Sequence, residues 1–592
     1  MKKLFILILS VLLLVGCTKE KPVEQVNTNS ENTFGYSETE NVLFNEFLDK
    51  EFKDEMEADY LNNHYTLNDS SAMGITKPEA KLDPYDFTLE SYADFVEDAQ
   101  ISLEELNGFD VNTLTEKQYY DYLDYKNNLE NYMELNKYPL FDQYFLPSTG
   151  LHENLITTFM EFNFRHVEEY EDYLNLLEDV PEYIEAALEL TRYQAENGYF
   201  MTDGAVDETI KSIDSFTSKT EDNELITSFN ESVDDNKKLS DDLKEEYKKR
   251  NKDLILNSFI PAYKDIRKEL ISLKGSRSID GGLALYENGA EYYSLYVKNK
   301  TGSDLSIQEL FDMCDEYLVK LIKDYITAYQ KDPDAFDEIS YEVTQLEEFE
   351  TEDILEFVKE NMSKDFPQGP NVNYKISYLD ETTANPNVLA YYLIPPIDLI
   401  SENIIRVNPK TGEDKLGLYS TVSHEGFPGH LYQITYDFNT KPHPIRSNIG
   451  NTAYTEGWAM YTELIAIDYL DVSDAEKLVY KLDIRFGYVL SAALDLYVNG
   501  LGNDFETTKE WLLNYIDPIY VEDVYNGAID DPGIIVPYGV GLAYYENLRN
   551  KAENELGDKF DAVKYHEAIL KNSDRPLYLL EADIEKFIES NK

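Results

Sequence analysis

The sequence predicts a mainly α-helical protein with one small β-sheet. Three observations predict it. Long stretches hold charged partners four residues apart and few glycines, which favours helix over strand. Capping-box starts occur at Ser37-x-x-Glu40 and at Ser306-Ile307-Gln308-Glu309. After Pro367-Gln368-Gly369-Pro370 the texture changes to three short runs rich in β-branched residues or tyrosine, the pattern of strands. The chain has 592 residues, 42% of them hydrophobic, so it can bury a large core and is globular in composition.

The chain opens on Met1-Lys2-Lys3 and an apolar run from Leu4 to Val15. That is the length of a signal-peptide core and too short to span a bilayer. The run ends at Leu14-Val15-Gly16-Cys17, which looks like a bacterial lipobox. Residues 1–16 are therefore expected to be a lipoprotein signal peptide. Cys17 is the expected lipidation site, anchoring the protein to the extracytoplasmic face of the bacterial cell membrane. Residues 17–35 are polar and Asn/Glu/Thr-rich, the composition of a flexible tether.

Repeated helix is predicted from Ser37 to about residue 135, followed by a loop with Pro139, Pro147 and Gly150. Helix resumes over about 162–197, interrupted at Pro181 and stopped near Gly198. Two further helical stretches cover about 207–219 and 221–273. Residues 275–282 form a glycine-rich connection without the phosphate-loop pattern, so no nucleotide site is expected. The Ser306 helix runs to about residue 330. Strands are predicted at 372–378, 388–394 and 404–407, then helices at 416–427 and 454–470. From about residue 474 the chain is helical again, except for a loop at 530–539 that holds Pro537 and Tyr538.

The chemistry concentrates in Ser423-His424-Glu425-Gly426-Phe427-Pro428-Gly429-His430. The chain has seven histidines. Two lie here, six apart, with Glu425 beside the first, and Glu456 follows in Thr455-Glu456-Gly457-Trp458-Ala459. Two imidazoles and a downstream carboxylate form the ligand set of a catalytic zinc that leaves one position for water. Glu425 is placed to take that water's proton. The separation departs from H-E-x-x-H. On a regular helix of ~3.6 residues per turn, positions six apart point roughly 120° away from each other. Pro428 cannot donate to the carbonyl of His424, and its ring crowds that carbonyl. The helix is therefore expected to break at Pro428-Gly429 and to turn His430 back towards His424. By spacing alone, an ordinary helix–turn–helix corner fits as well.

His424-Glu425-Gly426-Phe427-Pro428-Gly429-His430-Leu431-Tyr432-Gln433, followed by Glu456-Gly457-Trp458-Ala459-Met460-Tyr461, resembles the bacterial domain-of-unknown-function family 885. Gly281-Gly282-Leu283-Ala284 and Gly289-Ala290-Glu291-Tyr292-Tyr293 are similar to its middle region. Pro537-Tyr538-Gly539-Val540-Gly541 with Leu548-Arg549 is similar to its C-terminal region. One departure is Leu431, where members often carry a second histidine; the ligand count does not need it. The resemblance implies a gluzincin-like zinc metallopeptidase fold, with an edge strand beside the zinc helix that binds extended substrate by strand addition. It implies Zn²⁺ on His424, His430 and Glu456, with Glu425 as general base. Tyr538 is the candidate donor to a developing oxyanion. Arg446 and Arg549 are candidates to bind a substrate carboxylate by a fork, though each could equally pair with one of the many acids. Glu463, seven residues beyond Glu456, is either a ligand-orienting carboxylate or an ordinary helix acid.

The reading is zinc-dependent hydrolysis of peptide bonds by a membrane-anchored lipoprotein. Residues 36–592 form the helical domain, with 36–300 as its N-terminal half and 301–592 as its catalytic half. The alternatives are a metal-dependent amidase or esterase acting on a non-peptide substrate, and a non-catalytic peptide- or zinc-binding lipoprotein. Against 115 Asp and Glu stand 52 Lys and Arg, a net charge of −63 that repels phosphate backbones and argues against a nucleic-acid partner. His152-Glu153 has Ile156 where H-E-x-x-H needs its second histidine, so it reads as structural. Cys314 reads as a small core residue, and no intramolecular disulfide is expected.

Overall fold

The computed structural model describes residues 38–592 apart from 338, 380–388 and 410–413, with side chains from residue 42. The signal peptide, Cys17, the tether and the Ser37 capping box lie outside the described residues. The fold is mainly α with one three-stranded sheet among the described residues. The helix Ile307–Lys331 opens on the expected reciprocal capping box of Ser306 and Glu309.

Three expectations are corrected. Pro181 does not interrupt its helix: Glu169–Glu196 runs through it. The missing amide and the ring clash cost about 3 kcal/mol, and the wholly buried Leu177, Val180 and Ile184 around the proline offset that. The stretch 221–273 is broken, because Asn236 leaves the helix in extended conformation and Ser240 caps a new one through the amide of Leu243. Pro537 and Tyr538 are not in a loop but in the first turn of the helix Val536–Leu556, where a proline's missing amide has no intrahelical partner to lose.

Two large apolar cores fill the protein, one drawn from residues between Tyr60 and Leu270 and the other from residues between Tyr293 and Ile588. A third cluster packs residues of the first helices, including Phe44 and Leu129, against Ile445, Ile449 and Leu579. The N-terminal helices are thereby fixed to the segment that leads into the Glu456 helix. Cys314 is fully buried in the second large core. Among the described residues no helix is long and apolar enough to cross a membrane.

The sheet forms from the three predicted runs: β1 (Tyr374–Tyr378), β2 (Ala390–Leu393) and β3 (Asn403–Val407). Its order is β1-β3-β2, with β1 parallel and β2 antiparallel to β3. The order leaves β2 at an edge, and that edge faces the helix that carries His424.

Candidate active site and metal centre

Two short helices meet at the histidine motif. The first, Lys415–Glu425, places His424 in its last turn, and the second, His430–Thr440, begins on His430. Between them the chain folds back on itself, as the proline and glycines predict. The amide of Gly429 donates to the carbonyl of Ser423 at 3.1 Å, and that of Tyr432 to Gly426 at 3.2 Å. Gly429 is required by space, since a Cβ there would lie 1.7 Å from the carbonyl oxygen of His424. The fold-back brings the two imidazoles to a centroid distance of 4.8 Å with planes at 86°. Trp458 Nε1 donates to the Pro428 carbonyl at 3.0 Å and ties this turn to the helix Thr452–Ile467, which carries Glu456.

Glu456 Oε2 lies 3.4 Å from Nε2 of His424 and 3.4 Å from Nε2 of His430. That oxygen is buried and has no hydrogen-bond partner. One donor atom from each of the three residues falls within 4.8 Å of the others. Donors held ~2.0–2.1 Å from a tetrahedral zinc lie roughly 3.3–3.5 Å apart, so the two Glu456–imidazole spacings fit the ion. The chemistry fits too. His424 Nδ1 faces Glu463 Oε2 at 3.4 Å, and a proton shared there leaves Nε2 a lone pair aimed at another acceptor. Two facing acceptors need a positive charge between them, which a metal ion or a proton on the imidazole supplies; despite burial, the neighbouring carboxylates favour the protonated form of His424 while no ion is held.

Glu463 therefore stands against His424, and it is itself fixed by the hydroxyl of Ser420. Glu425 reaches the sheet, where its Oε2 accepts the amide of Tyr392, on β2, at 2.9 Å. Burial holds the Glu425 carboxyl above the usual carboxylate range, partly countered by the nearby histidines. Burial pushes Glu456 up as well, but while the facing imidazoles are protonated their charge outweighs it and holds the carboxyl at about 2.

Tyr538 reaches the site from the helix Val536–Leu556. Burial and the carboxylates of Glu456 and Glu425 keep its phenol protonated. It gets there because Gly457 and Gly541 let the two helices touch backbone to backbone: a Cβ on Gly457 would lie 2.7 Å from Gly541 Cα. Tyr488, on the helix Asp474–Asp495, stacks on Tyr538 at 6.0 Å, and its phenol is held protonated by burial and by Glu463, Glu456 and Glu425. Sequence reasoning missed Tyr488. It is one of 48 tyrosines, in a helix with no motif around it. It also missed the Tyr392 amide, a main-chain group that no side-chain pattern reports.

Neither candidate arginine is free. Arg446 is buried and committed to the Asp124 carboxylate and the Asp574 carbonyl. Arg549 pairs with Glu553 at 2.7 Å and donates to the Tyr461 hydroxyl at 2.9 Å. Groups of this chain engage both guanidinium ions. His152 is fully buried, and burial alone pushes its imidazole down to about 3, in keeping with a structural role.

The sequence matches the family described as "Bacterial protein of unknown function (DUF885)" over residues 69–584. The chain belongs to this family. No curated protein matches it. Two solved structures share the fold. One is a candidate lipoprotein from Colwellia psychrerythraea, with a TM-score of 0.74 and 17% identity, covering 94% of this chain and 100% of that one. The other is a candidate lipoprotein of unknown function from Shewanella oneidensis, with a TM-score of 0.61 and 18% identity, covering 91% of this chain and 99% of that one. The DUF885 match includes every residue of the His424 site, and the histidine motif and the Glu456 helix that carried the resemblance are the segments that meet there.

Proposed function

We propose that this DUF885 protein is a zinc-dependent peptidase anchored to the membrane through lipid on Cys17. The observation that carries the reading is Glu456 Oε2, buried, without a partner and 3.4 Å from each of two imidazole nitrogens, with Glu425 alongside. His424, His430 and Glu456 would hold the ion, and Glu463 sets the His424 tautomer. A bound zinc supplies Lewis acidity, which acidifies water and polarises a carbonyl. Glu425, pinned through one oxygen by the Tyr392 amide, has its other oxygen to accept a proton from the attacking water. The water oxygen bonds to the carbonyl carbon, the C–N bond breaks, and Glu425 returns the proton to the leaving nitrogen. Tyr538 and Tyr488 keep their phenolic protons and serve as donors to the carbonyl oxygen as it gains charge.

The edge position of β2 beside Glu425 favours an extended peptide over a non-peptide amide or ester, because a strand edge pairs with peptide backbone. A purely binding protein leaves the fixed position of Glu425 without a purpose. Lipid anchoring is supported by the lipobox-like Leu14-Val15-Gly16-Cys17 and by the descriptions of the two structural relatives. The test is metal content and cleavage of a peptide mixture, read by mass, with and without chelator. One zinc per chain and chelator-sensitive cleavage are expected. Cleavage that survives complete metal removal, or none with zinc bound, refutes the proposal.

A further inference from the structure

One carboxylate from the N-terminal half ties the three strands together. Ser377 on β1, Arg406 on β3 and Tyr391 on β2 form a single row across the sheet, each in register with the next. Arg406 donates to Glu161 through Nε at 3.1 Å and Nη2 at 2.8 Å, and through Nη1 to the Ser377 hydroxyl at 2.6 Å. The Tyr391 hydroxyl donates to Glu161 Oε1 at 2.5 Å. Glu161 caps the C-terminus of the helix Leu151–Met160. Phe159 and Phe162, on either side of it, are buried in the core drawn from the N-terminal half. The Glu161 side chain is itself 7% exposed. A guanidinium fork on a carboxylate fixes angle as well as distance, so the row is held to a rigid support.

The row lies one residue from the group that holds Glu425. Alternate residues of an antiparallel strand turn their amides towards the partner strand and away from it. The Asn408 amide bonds the Leu389 carbonyl at 2.8 Å. In that register Leu389 and Tyr391 bond to β3, and Tyr392 turns its amide to the free edge, where Glu425 Oε2 accepts it at 2.9 Å. Among the described residues this is the hydrogen bond that holds the Glu425 side chain. A single planar peptide unit joins Tyr391 Cα to the Tyr392 amide, so a shift of one carries the other.

Building on the peptidase reading, we infer that Glu161 is a positioning residue for the reaction: through Tyr391 and Arg406 it fixes β2, and through the Tyr392 amide it sets where Glu425 stands. The N-terminal half then takes part in the chemistry through one carboxylate. The test compares the zinc-loaded full chain with Glu161→Gln, which loses the ionic fork, and Tyr391→Phe, which removes one hydroxyl and leaves the Arg406 pair intact. Thermal melting confirms folding, and Tyr391→Phe carries the test alone should Glu161→Gln fail to fold. Glu161→Gln should lower kcat by about 10- to 100-fold, since a displacement on the order of 1 Å costs up to ~10²-fold. Tyr391→Phe should lower it by about 3- to 10-fold, the worth of one hydrogen bond. Zinc stoichiometry should match the parent in both. A double-mutant cycle separates positioning from general damage. In Glu425→Gln, with no base left to place, either substitution should cost less than about twofold. A loss of equal size in both backgrounds, or a parent rate in either single variant, overturns the inference. Amide hydrogen exchange over residues 389–394, read by mass without substrate, separates this from the peptidase reading. Each substitution should raise it by about tenfold or more. If the parent cleaves nothing but exchange rises in the variants, the hold of Glu161 on β2 and Glu425 stands and the peptidase reading falls. If exchange is unchanged, the inference falls whatever is cleaved.

Discussion

Replacing Gly457 by alanine tests the packing that sets Tyr538 against Glu456. The new Cβ would lie 2.7 Å from Gly541 Cα, 2.8 Å from Gly541 C and 3.0 Å from Tyr545 Cδ2. The first two atoms are backbone and cannot rotate away. Restoring ordinary carbon contact at about 3.5–4 Å requires the two helices to part by roughly 1 Å. Such overpacking costs about 1–3 kcal/mol, and the better helix propensity of alanine returns about 1 kcal/mol. The expected net loss is about 0–2 kcal/mol, which in a chain of this length is a fall in Tm of at most about 2 °C. The chemistry should suffer more. A 1 Å displacement of a positioned group costs on the order of 10²-fold in rate, so kcat should drop by about that factor. Zinc content should hold, because His424, His430 and Glu456 are linked to one another through Glu463 and the Trp458–Pro428 bond. Melting, zinc stoichiometry and peptide cleavage on one preparation read all three. A Gly457→Ala protein that melts at or above the parent temperature and cleaves at the parent rate would refute the reasoning.

Glu425→Gln should keep zinc while kcat falls roughly 10²- to 10⁴-fold, the range for lost general-base catalysis, whereas Glu456→Gln should lose zinc; the reverse pattern in metal analysis would show the roles to be exchanged. Glu463→Gln should weaken zinc about 10- to 100-fold in a chelator competition, since it removes the carboxylate that orients His424; unchanged affinity would return Glu463 to the ordinary acids. Asp495 is buried among the Tyr293 hydroxyl and the Asn499 and Gly533 amides, and burial pushes its carboxyl up to about 6. A raised carboxyl contributes its full stability below its unfolded value near 4 and loses it as pH rises through about 6, a decline on the order of 3 kcal/mol. Asp495→Asn should therefore lose less Tm than the parent between pH 5 and 8, and parallel melting curves would dismiss the idea. Cys17→Ser should move the protein from the membrane to the soluble fraction; equal membrane retention on fractionation would point to another anchor.

The sequence by itself determined whatever depends on neighbours along the chain. Pro428 and Gly429 dictate the break between His424 and His430 because a proline's missing amide and a glycine's missing Cβ act within one turn of backbone. The three strands are legible for the same reason, each being a short run with its own bounding residues. The Ser306 cap is equally local. Glu456 could be named because the motif around it resembles a family, not because its distance from the histidines is encoded nearby.

Only the tertiary structure decided what each side chain meets. Pro181 reads as a break, yet the core around it holds one helix together. Arg446 and Arg549 could serve a substrate or an acid of the chain, and Asp124, Asp574, Glu553 and Tyr461 engage them. That Glu463 stands opposite His424 Nδ1 is likewise visible only once the helices are packed. Tyr488 and the Tyr392 amide carry no sequence signal at all, since nothing in a residue's identity says which distant helix will lie against it. Covalent geometry constrains the chain over a few residues. Charge, hydrogen bonding and burial act between groups hundreds of positions apart, and these become definite only when the helices pack.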